Sequence, residues 1–232
     1  YVQYLNCQNK KHYREGEHHG LRADSCGDCP SCKKIEQLMH TDLHFVFPNA
    51  VTPKVKSSSV SSDDFQEEFR DFVLSTKAKG SMGDWFRHLG IENKQGMIRE
   101  RDADNVARIL AMKPYEAPYK MLVIWGADKM NLDAANTMLK TLEEPSGRAL
   151  IFLIADSIDR MLPTVLSRVQ QIRVPSITSA LVSDNAEYAT WFVEWMRLLF
   201  KLNMAQLSAW VDSIAKVGRE PQKRFLRFCQ EA

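Results

Sequence analysis

The sequence lacks the short motifs that mark the common nucleotide-binding and hydrolytic sites. Its ten glycines form no G-x-x-x-x-G-K-[ST] loop, so these residues offer no nest of backbone amides with a following lysine to hold a triphosphate. A G-x-S-x-G elbow, a H-E-x-x-H helix and a G-x-G-x-x-G turn are also absent. For these 232 residues the sequence therefore excludes a phosphate loop, a serine-hydrolase elbow, a zincin helix and a dinucleotide fingerprint.

A long apolar segment and a strong excess of one charge are missing as well. The longest uninterrupted apolar run, residues 149–155, is far shorter than the ~20 residues that a membrane-spanning helix needs. No charged and then apolar secretory signal opens the chain. We therefore expect a cytoplasmic protein with no membrane partner. The formal net charge of +2 argues neither for nor against a nucleic-acid partner.

What is present is the alternation of strands and helices typical of a parallel sheet. Continuous apolar runs predict buried strands at Met121–Trp125 and Ala149–Ala155. The aromatic and β-branched segment Leu43–Pro48 predicts another strand, and residues 171–174 a further one. Apolar residues at helical spacing predict a helix over 133–144. We expect an α/β fold with helices flanking a parallel sheet.

The character of the sequence changes after Pro175. Three wide apolar stripes at helical spacing follow, and each contains aromatic residues. They predict a small all-helical domain at 185–232, whose aromatic residues serve mainly in packing. The α/β domain is then expected to occupy residues 1–175, with a short junction at 176–184.

A cysteine cluster is the clearest candidate metal site. Cys26, Cys29 and Cys32 follow one another as C-x2-C-x2-C, and Cys7 lies upstream. Four thiolates can surround a tetrahedral Zn²⁺, and the tight spacing lets loop amides donate hydrogen bonds to the sulfurs. No acid is spaced to work with a metal-bound water. We therefore expect structural zinc that holds the polar first forty residues together.

The fourth ligand is less certain than the other three. Cys7 is the favoured residue, and three histidines could replace it: His12, His18 and His19. Free or disulfide-paired cysteines are the alternative to a metal site, but disulfides are rare in cytoplasmic proteins. Cys229 lies on an apolar helix face, where we interpret it as a small core residue.

The strand that ends at Trp125 lacks the carboxylates of a P-loop ATPase. Such an enzyme needs an acid to hold Mg²⁺ and another to orient the attacking water, whereas Trp125 and Gly126 occupy these positions. Asp128 follows too late, so we expect it to cap the next helix or to hold a turn. Glu143 and Glu144 are adjacent on a helix and point in different directions, which favours a role as polar residues at the helix end.

These motifs resemble those of the delta-prime clamp-loader subunits of bacterial DNA polymerase III, a family of the AAA+ group, and more loosely their gamma/tau partners. The resemblance is carried by CGDCPSC, MLVIWGADKMN, AANTMLKTLEEPSG, LIFLIA and LPTVLSR. It covers most of residues 1–175 and is most specific between Asn136 and Arg168. It implies a P-loop-type AAA+ sheet with a zinc-binding insertion at about 7–32, followed by a helical collar through which five subunits form a ring.

The resemblance also implies a division of labour between subunits. Gamma/tau subunits end the Walker B strand in Asp-Glu, and delta-prime subunits have lost that pair, as Trp125 and Gly126 have here. We therefore expect a subunit that binds no ATP and has no activity of its own. The family's Ser-Arg-Cys motif places its arginine against a neighbour's ATP, which carries over to Ser167 and Arg168, with Val169 in place of the cysteine. Such an arginine finger contributes ~10³ to 10⁵ in rate.

The implied partners are the gamma/tau and delta subunits, the sliding clamp, and primed DNA through the assembled complex. Two departures stand out: only six residues precede Cys7, where the family has a strand and a phosphate loop, and residues 176–184 are too short for the family's helical lid. The chain is then either truncated or made of joined pieces of a longer chain. The alternatives are an active ATPase whose nucleotide loop lies outside these residues, a zinc-finger nucleic-acid binder, and an ordinary ion pair at Arg168.

Overall fold

A three-stranded parallel sheet organises the first part of the chain. The computed structural model describes residues 2–12, 23–53, 55, 60–92, 94–145, 147–174, 182–200 and 204–231. Its strands and helices up to residue 171 are α1 (Val2–Leu5), β1 (Lys11–His12), β2 (Ala23–Asp24), α2 (Pro30–Glu36), β3 (Leu43–Val46), α3 (Gln66–Ser75), α4 (Met82–His88), α5 (Glu100–Ala111), β4 (Lys120–Trp125), α6 (Leu132–Glu143), β5 (Ala149–Ile154) and α7 (Pro163–Leu166).

The sheet has the order β3-β4-β5, and both pairs are parallel. The expectation of a parallel α/β sheet is therefore confirmed. The central strand β4 directs alternate side chains to hydrophobic clusters on opposite faces of the sheet. Leu122 and Ile124 face one cluster with α5 and α6, where Val106 and Met138 are buried. Trp125 packs against the other cluster. Alternation of this kind follows from the two-residue period of a strand.

The second cluster is unusually aromatic. Phe47 stacks on Phe69 with ring centroids 4.0 Å apart, and Trp85 meets both rings edge-on at 5.1 and 5.4 Å. The indole N–H of Trp85 donates to the carbonyl of Pro48 at 2.8 Å. Offset and edge-to-face contacts of this type contribute about 0.5 to 1.5 kcal/mol beyond the area that they bury. This cluster fixes the segment after β3 against α3 and α4.

Two sequence predictions about strands are wrong. β5 was expected to be buried, but its residues are only half-buried and Ile154 is 48% exposed, because β5 pairs with β4 alone among the described strands. Residues 171–174 form no strand. Ile172 and Val174 there are 78% and 79% exposed. A short apolar segment becomes a strand only when a neighbouring strand takes its hydrogen bonds.

Residues 172–232 form a separate compact unit. It contains α8 (Val182–Phe200), α9 (Met204–Ala215) and α10 (Arg219–Glu231). Phe225 of α10 is buried, and its ring lies 5.6 to 6.1 Å from the rings of Trp191, Trp195 and Trp210. Residues 176–181 of the predicted junction lie outside the described residues. None of the described helices is long and apolar enough to cross a membrane.

Candidate functional site

Four cysteines from three short segments converge near the start of the chain. Cys7 follows α1, Cys26 and Cys29 lie in the loop after β2, and Cys32 is in the first turn of α2. Cys29 caps α2: its sulfur accepts the Cys32 N–H at 3.4 Å. Pro30 occupies the first helical turn, where its missing N–H costs nothing. The knuckle geometry thus arises from a helix start with a sulfur as its cap.

The four sulfurs form a closed and buried cluster. All lie within 4.8 Å of one another, and no cysteine of the cluster is more than 9% exposed. A tetrahedral ion with bonds of about 2.3 Å places its sulfur ligands about 3.8 Å apart, and the Sγ atoms of Cys26 and Cys32 are 3.8 Å apart. These residues could therefore hold a metal ion. Cys7 belongs to the group, whereas His12 does not, and His18 and His19 lie outside the described residues.

Backbone amides surround the sulfurs as the spacing predicts. The N–H of Cys26 donates to the sulfur of Cys7 at 3.2 Å, and the N–H of Cys29 donates to that of Cys26 at 3.2 Å. This amide lowers the pKa of the Cys26 thiol. Burial opposes ionisation of Cys29, yet the amide of Cys32 and further hydrogen bonds lower its pKa to about 6. Such donors favour the thiolate form that binds metal.

Cys32 behaves differently from its neighbours. Burial raises the pKa of its thiol to about 12, because a charge away from water and beside other sulfurs is unfavourable. A cation at the centre of the cluster would offset this penalty, since it binds the thiolate directly. None of the four cysteines is in a disulfide, and neither is Cys229. The cluster is thus chemically suited to a cation.

The end of β4 is filled by packing rather than by polar groups. Trp125 places its ring 5.8 Å from that of Phe69 and 6.0 Å from that of Phe72. Gly126 has φ +73°, and a Cβ at this position would lie 2.6 Å from Cε of Met82 and 2.8 Å from Cγ of Pro48. No carboxylate side chain fits at residue 126 without displacing these neighbours. At residue 126 the sequence therefore departs from the ATPase pattern at a place where side chains of the fold pack closely.

Asp128 links the segment after β4 to the segment after β5, which is a long-range contact and not the local turn that was one of its two predicted roles. Its buried Oδ1 accepts the N–H of Asp156 at 3.3 Å, and its Oδ2 lies 3.6 Å from Nζ of Lys129 and 3.9 Å from Nη1 of Arg160. The other predicted role, capping the next helix, is wrong. Asn131 caps α6 by accepting the N–H of Ala134 at 2.9 Å.

Arg168 follows α7 and reaches back to α6. Its Nε donates to Oε1 of Glu143 at 2.6 Å, and its Nη2 forms an ion pair with the same oxygen. Its Nη1 donates to the carbonyl of Thr164 at 2.8 Å and to the hydroxyl of Ser167 at 3.2 Å. The arginine side chain is 32% exposed. The predicted site residues Ser167 and Arg168 are therefore in contact, at the surface.

Glu143 is the residue of this site that sequence reasoning missed. It was interpreted as a polar helix end, yet it contacts a side chain 25 positions away. The sequence carries only an indirect signal, an acidic residue at the end of one helix and an arginine after the next. Whether two such residues meet depends on how α6 and α7 pack together.

Comparison with known proteins gives a consistent family. The model of the family described as "DNA polymerase III, delta subunit" matches residues 1–178. The chain is 27% identical to the DNA polymerase III subunit delta' of Bacillus subtilis over 70% of this chain and 36% of that protein. It is 28% identical to the subunit delta' of Haemophilus influenzae over 87% of this chain and 49% of that protein.

The match to the subunit delta' of Pseudomonas aeruginosa is similar, with 26% identity over 66% of this chain and 34% of that protein. The chain thus spans between about a third and about half of the length of these relatives. A gamma-subunit-related protein of Thermotoga maritima superposes with a TM-score of 0.34 at 18% identity, over 78% of this chain and 59% of that one, a score too low to establish a common fold. On the family match over residues 1–178, the chain belongs to the delta-prime family of DNA polymerase III clamp-loader subunits.

Proposed function

We propose that this protein is a clamp-loader subunit that hydrolyses no ATP itself and supplies Arg168 to the ATP site of a neighbouring subunit. It helps to load the sliding clamp onto primed DNA in the cytoplasm, with gamma/tau and delta subunits as its ring partners. The observation that carries the proposal is the surface guanidinium of Arg168, held by three groups of its own chain. A positive charge presented in this way suits the charge that develops on a transferred phosphoryl group.

The end of β4 supports the part of the proposal that concerns the missing ATP hydrolysis. Trp125 and Gly126 occupy the positions where a hydrolysing subunit would place acids, and a side chain at residue 126 would have to displace Met82 and Pro48. A degenerate Walker B strand of this kind is consistent with a subunit that acts only on its neighbour. We further propose that the helices of residues 182–231 serve as the collar of the ring.

The test of the arginine uses the assembled clamp loader. Arg168→Ala is compared with the unmodified protein in a complex whose other ATP sites are disabled, so that turnover reports on the facing site alone. We expect DNA-stimulated turnover there to fall by at least tenfold, on the scale of ~10³ known for arginine fingers. Unchanged turnover contradicts the proposed role. Hydrolysis by the isolated subunit, with micromolar ATP affinity, would support an active ATPase instead.

We also propose that the four cysteines bind structural Zn²⁺. Thiolate ligands, tetrahedral sulfur spacing and full burial favour zinc among the common metals. Cys29→Ser should lower the zinc content and increase proteolysis of the segment around residues 2–36, because the metal holds together elements that bury little apolar area. Cys229→Ser is the matched control. One zinc per chain retained in Cys29→Ser, measured by elemental analysis, would contradict this assignment.

A further inference from the structure

The ion pair between Glu143 and Arg168 joins the ends of two packed helices. Glu143 is the last residue of α6, and Arg168 lies two residues after the end of α7. Each helix is anchored from inside: Met138 of α6 is 1% exposed and Val165 of α7 is 1% exposed. The distance between the carboxylate and the arginine backbone is therefore set by the hydrophobic core.

Every nitrogen of the guanidinium has a partner in its own chain. Nε and Nη2 face the carboxylate of Glu143, and Nη1 faces the carbonyl of Thr164 and the hydroxyl of Ser167. The hydroxyl of Ser167 is itself oriented, since it donates to the same carbonyl at 3.0 Å. An arginine has several rotatable bonds and loses much of its rotamer freedom when it is fixed. Here that loss occurs before any neighbour arrives.

We propose that Glu143 is the positioning residue for Arg168: it holds the guanidinium in the orientation in which a neighbouring subunit's triphosphate meets it. The inference rests on the proposed function of Arg168. Preorganised charges accelerate a reaction because they need not reorganise during it. An error of about 1 Å in such a group lowers the rate by up to ~100-fold.

The carboxylate acts by geometry and not by its charge. A negative group beside Arg168 partly neutralises the arginine, so its charge alone would weaken the attraction to phosphate. Its oxygen, in contrast, accepts the Nε–H of the guanidinium and lies beside Nη2. A neutral acceptor of equal length should therefore serve as well as the native residue, while a shorter acid should not.

Three substitutions at residue 143 separate these roles. Glu143→Gln keeps the length and one acceptor oxygen, Glu143→Asp keeps the charge but is one methylene shorter, and Glu143→Ala removes both. The measurement is kcat and KM for ATP in the assembled clamp loader, at the site that faces Arg168. Glu144→Ala is the matched control, because Glu144 is the exposed neighbouring acid.

We expect Glu143→Ala and Glu143→Asp to lower kcat by roughly tenfold, less than the ~100-fold of a fully misplaced group, because Thr164 and Ser167 still hold Nη1. KM should be unchanged, and Glu143→Gln and Glu144→Ala should retain the native kcat. A native kcat in Glu143→Ala overturns the inference, and so does an increase, which would make Glu143 a restraint on Arg168. A low kcat in Glu143→Gln beside a native kcat in Glu143→Asp would show that the charge is what matters.

Arg168→Ala, measured in parallel, separates the proposed role of Arg168 from the proposed positioning role of Glu143. If it loses turnover while Glu143→Ala does not, the arginine role stands and only the positioning inference is wrong. If Arg168→Ala itself has native turnover, both are wrong. Thermal unfolding of each variant confirms that the changes act on the reaction and not on folding.

Discussion

The end of β4 and the pair Glu143–Arg168 are the two places where this chain would meet ATP chemistry, and they are built in opposite ways. At the end of β4, an aromatic ring and a glycine pack against buried neighbours. At the other place, two charged side chains remain 32% and 48% exposed and form an ion pair. The contrast teaches that this fold fills one position with packed side chains and keeps the other position at the surface.

The largest effect should come from Gly126→Ala. We expect the free energy of unfolding to fall by about 2 to 4 kcal/mol, because a Cβ is strained at this positive φ and also meets Met82 and Pro48. Gly147→Ala is the matched control, because Gly147 has φ +71° but nothing lies within 4 Å of an added Cβ. This substitution should lower the free energy of unfolding by about 1 kcal/mol. If urea denaturation gives the same decrease in the free energy of unfolding for both variants, the end of β4 is not tightly packed.

Trp125→Ala should have the next largest effect and lower the free energy of unfolding by about 2 kcal/mol. The ring is half-buried and contacts Phe69 and Phe72, so it contributes less than a fully buried tryptophan, whose removal costs about 3 to 5 kcal/mol. Tyr115→Ala removes an aromatic ring that is 86% exposed and should change stability by less than about 0.5 kcal/mol. Similar midpoints for the two variants in urea would contradict the packing role of Trp125.

Asp128→Ala tests the hydrogen bond that links the segment after β4 to the segment after β5. Loss of the buried acceptor for the N–H of Asp156 should lower the free energy of unfolding by about 1 to 2 kcal/mol. ATP turnover of the assembled complex should stay unchanged, since this carboxylate links the segments that follow β4 and β5. Asp159→Ala, in the exposed segment that follows, is the control and should be neutral. A stable Asp128→Ala protein with impaired turnover would make Asp128 a functional acid.

The smallest change in stability should be that of Arg168→Ala. Its ion pair with Glu143 is partly exposed, and pairs of this kind contribute about 0 to 1 kcal/mol. We expect thermal unfolding to be nearly native although turnover at the neighbouring site is lost. A loss above about 2 kcal/mol would mean that the pair belongs to the stabilising part of the fold, and the contrast between the two places would disappear.

Local patterns predicted much of this fold correctly. The strands at Leu43–Val46, Lys120–Trp125 and Ala149–Ile154 lie where the sequence predicted strands at Leu43–Pro48, Met121–Trp125 and Ala149–Ala155. The first was predicted from aromatic and β-branched residues and the other two from continuous apolar runs. The cysteine spacing likewise predicted a cluster that includes Cys7. Both signals are contained in short stretches of sequence, and neither depends on how distant elements pack.

Predictions that depended on distant neighbours failed. Residues 171–174 have an apolar pattern but pair with none of the described strands, and β5 is only half-buried because it has a single neighbouring strand among those described. An ion pair at Arg168 was one of the alternatives that the sequence left open, but Glu143 was not identified as its partner. In each case the deciding partner lies far away in the sequence, where periodicity and spacing carry no information.

The sequence by itself determined which residue types are available. These are the four clustered thiols, the glycine after Trp125 in place of a carboxylate pair at the end of β4, and the arginine at residue 168. Only the tertiary structure decided what these residues do to one another. It brought Met82 and Pro48 against Gly126, and it placed Glu143 beside Arg168. The physical reason is that close packing and hydrogen bonds act over a few ångströms in space, whatever the separation along the chain.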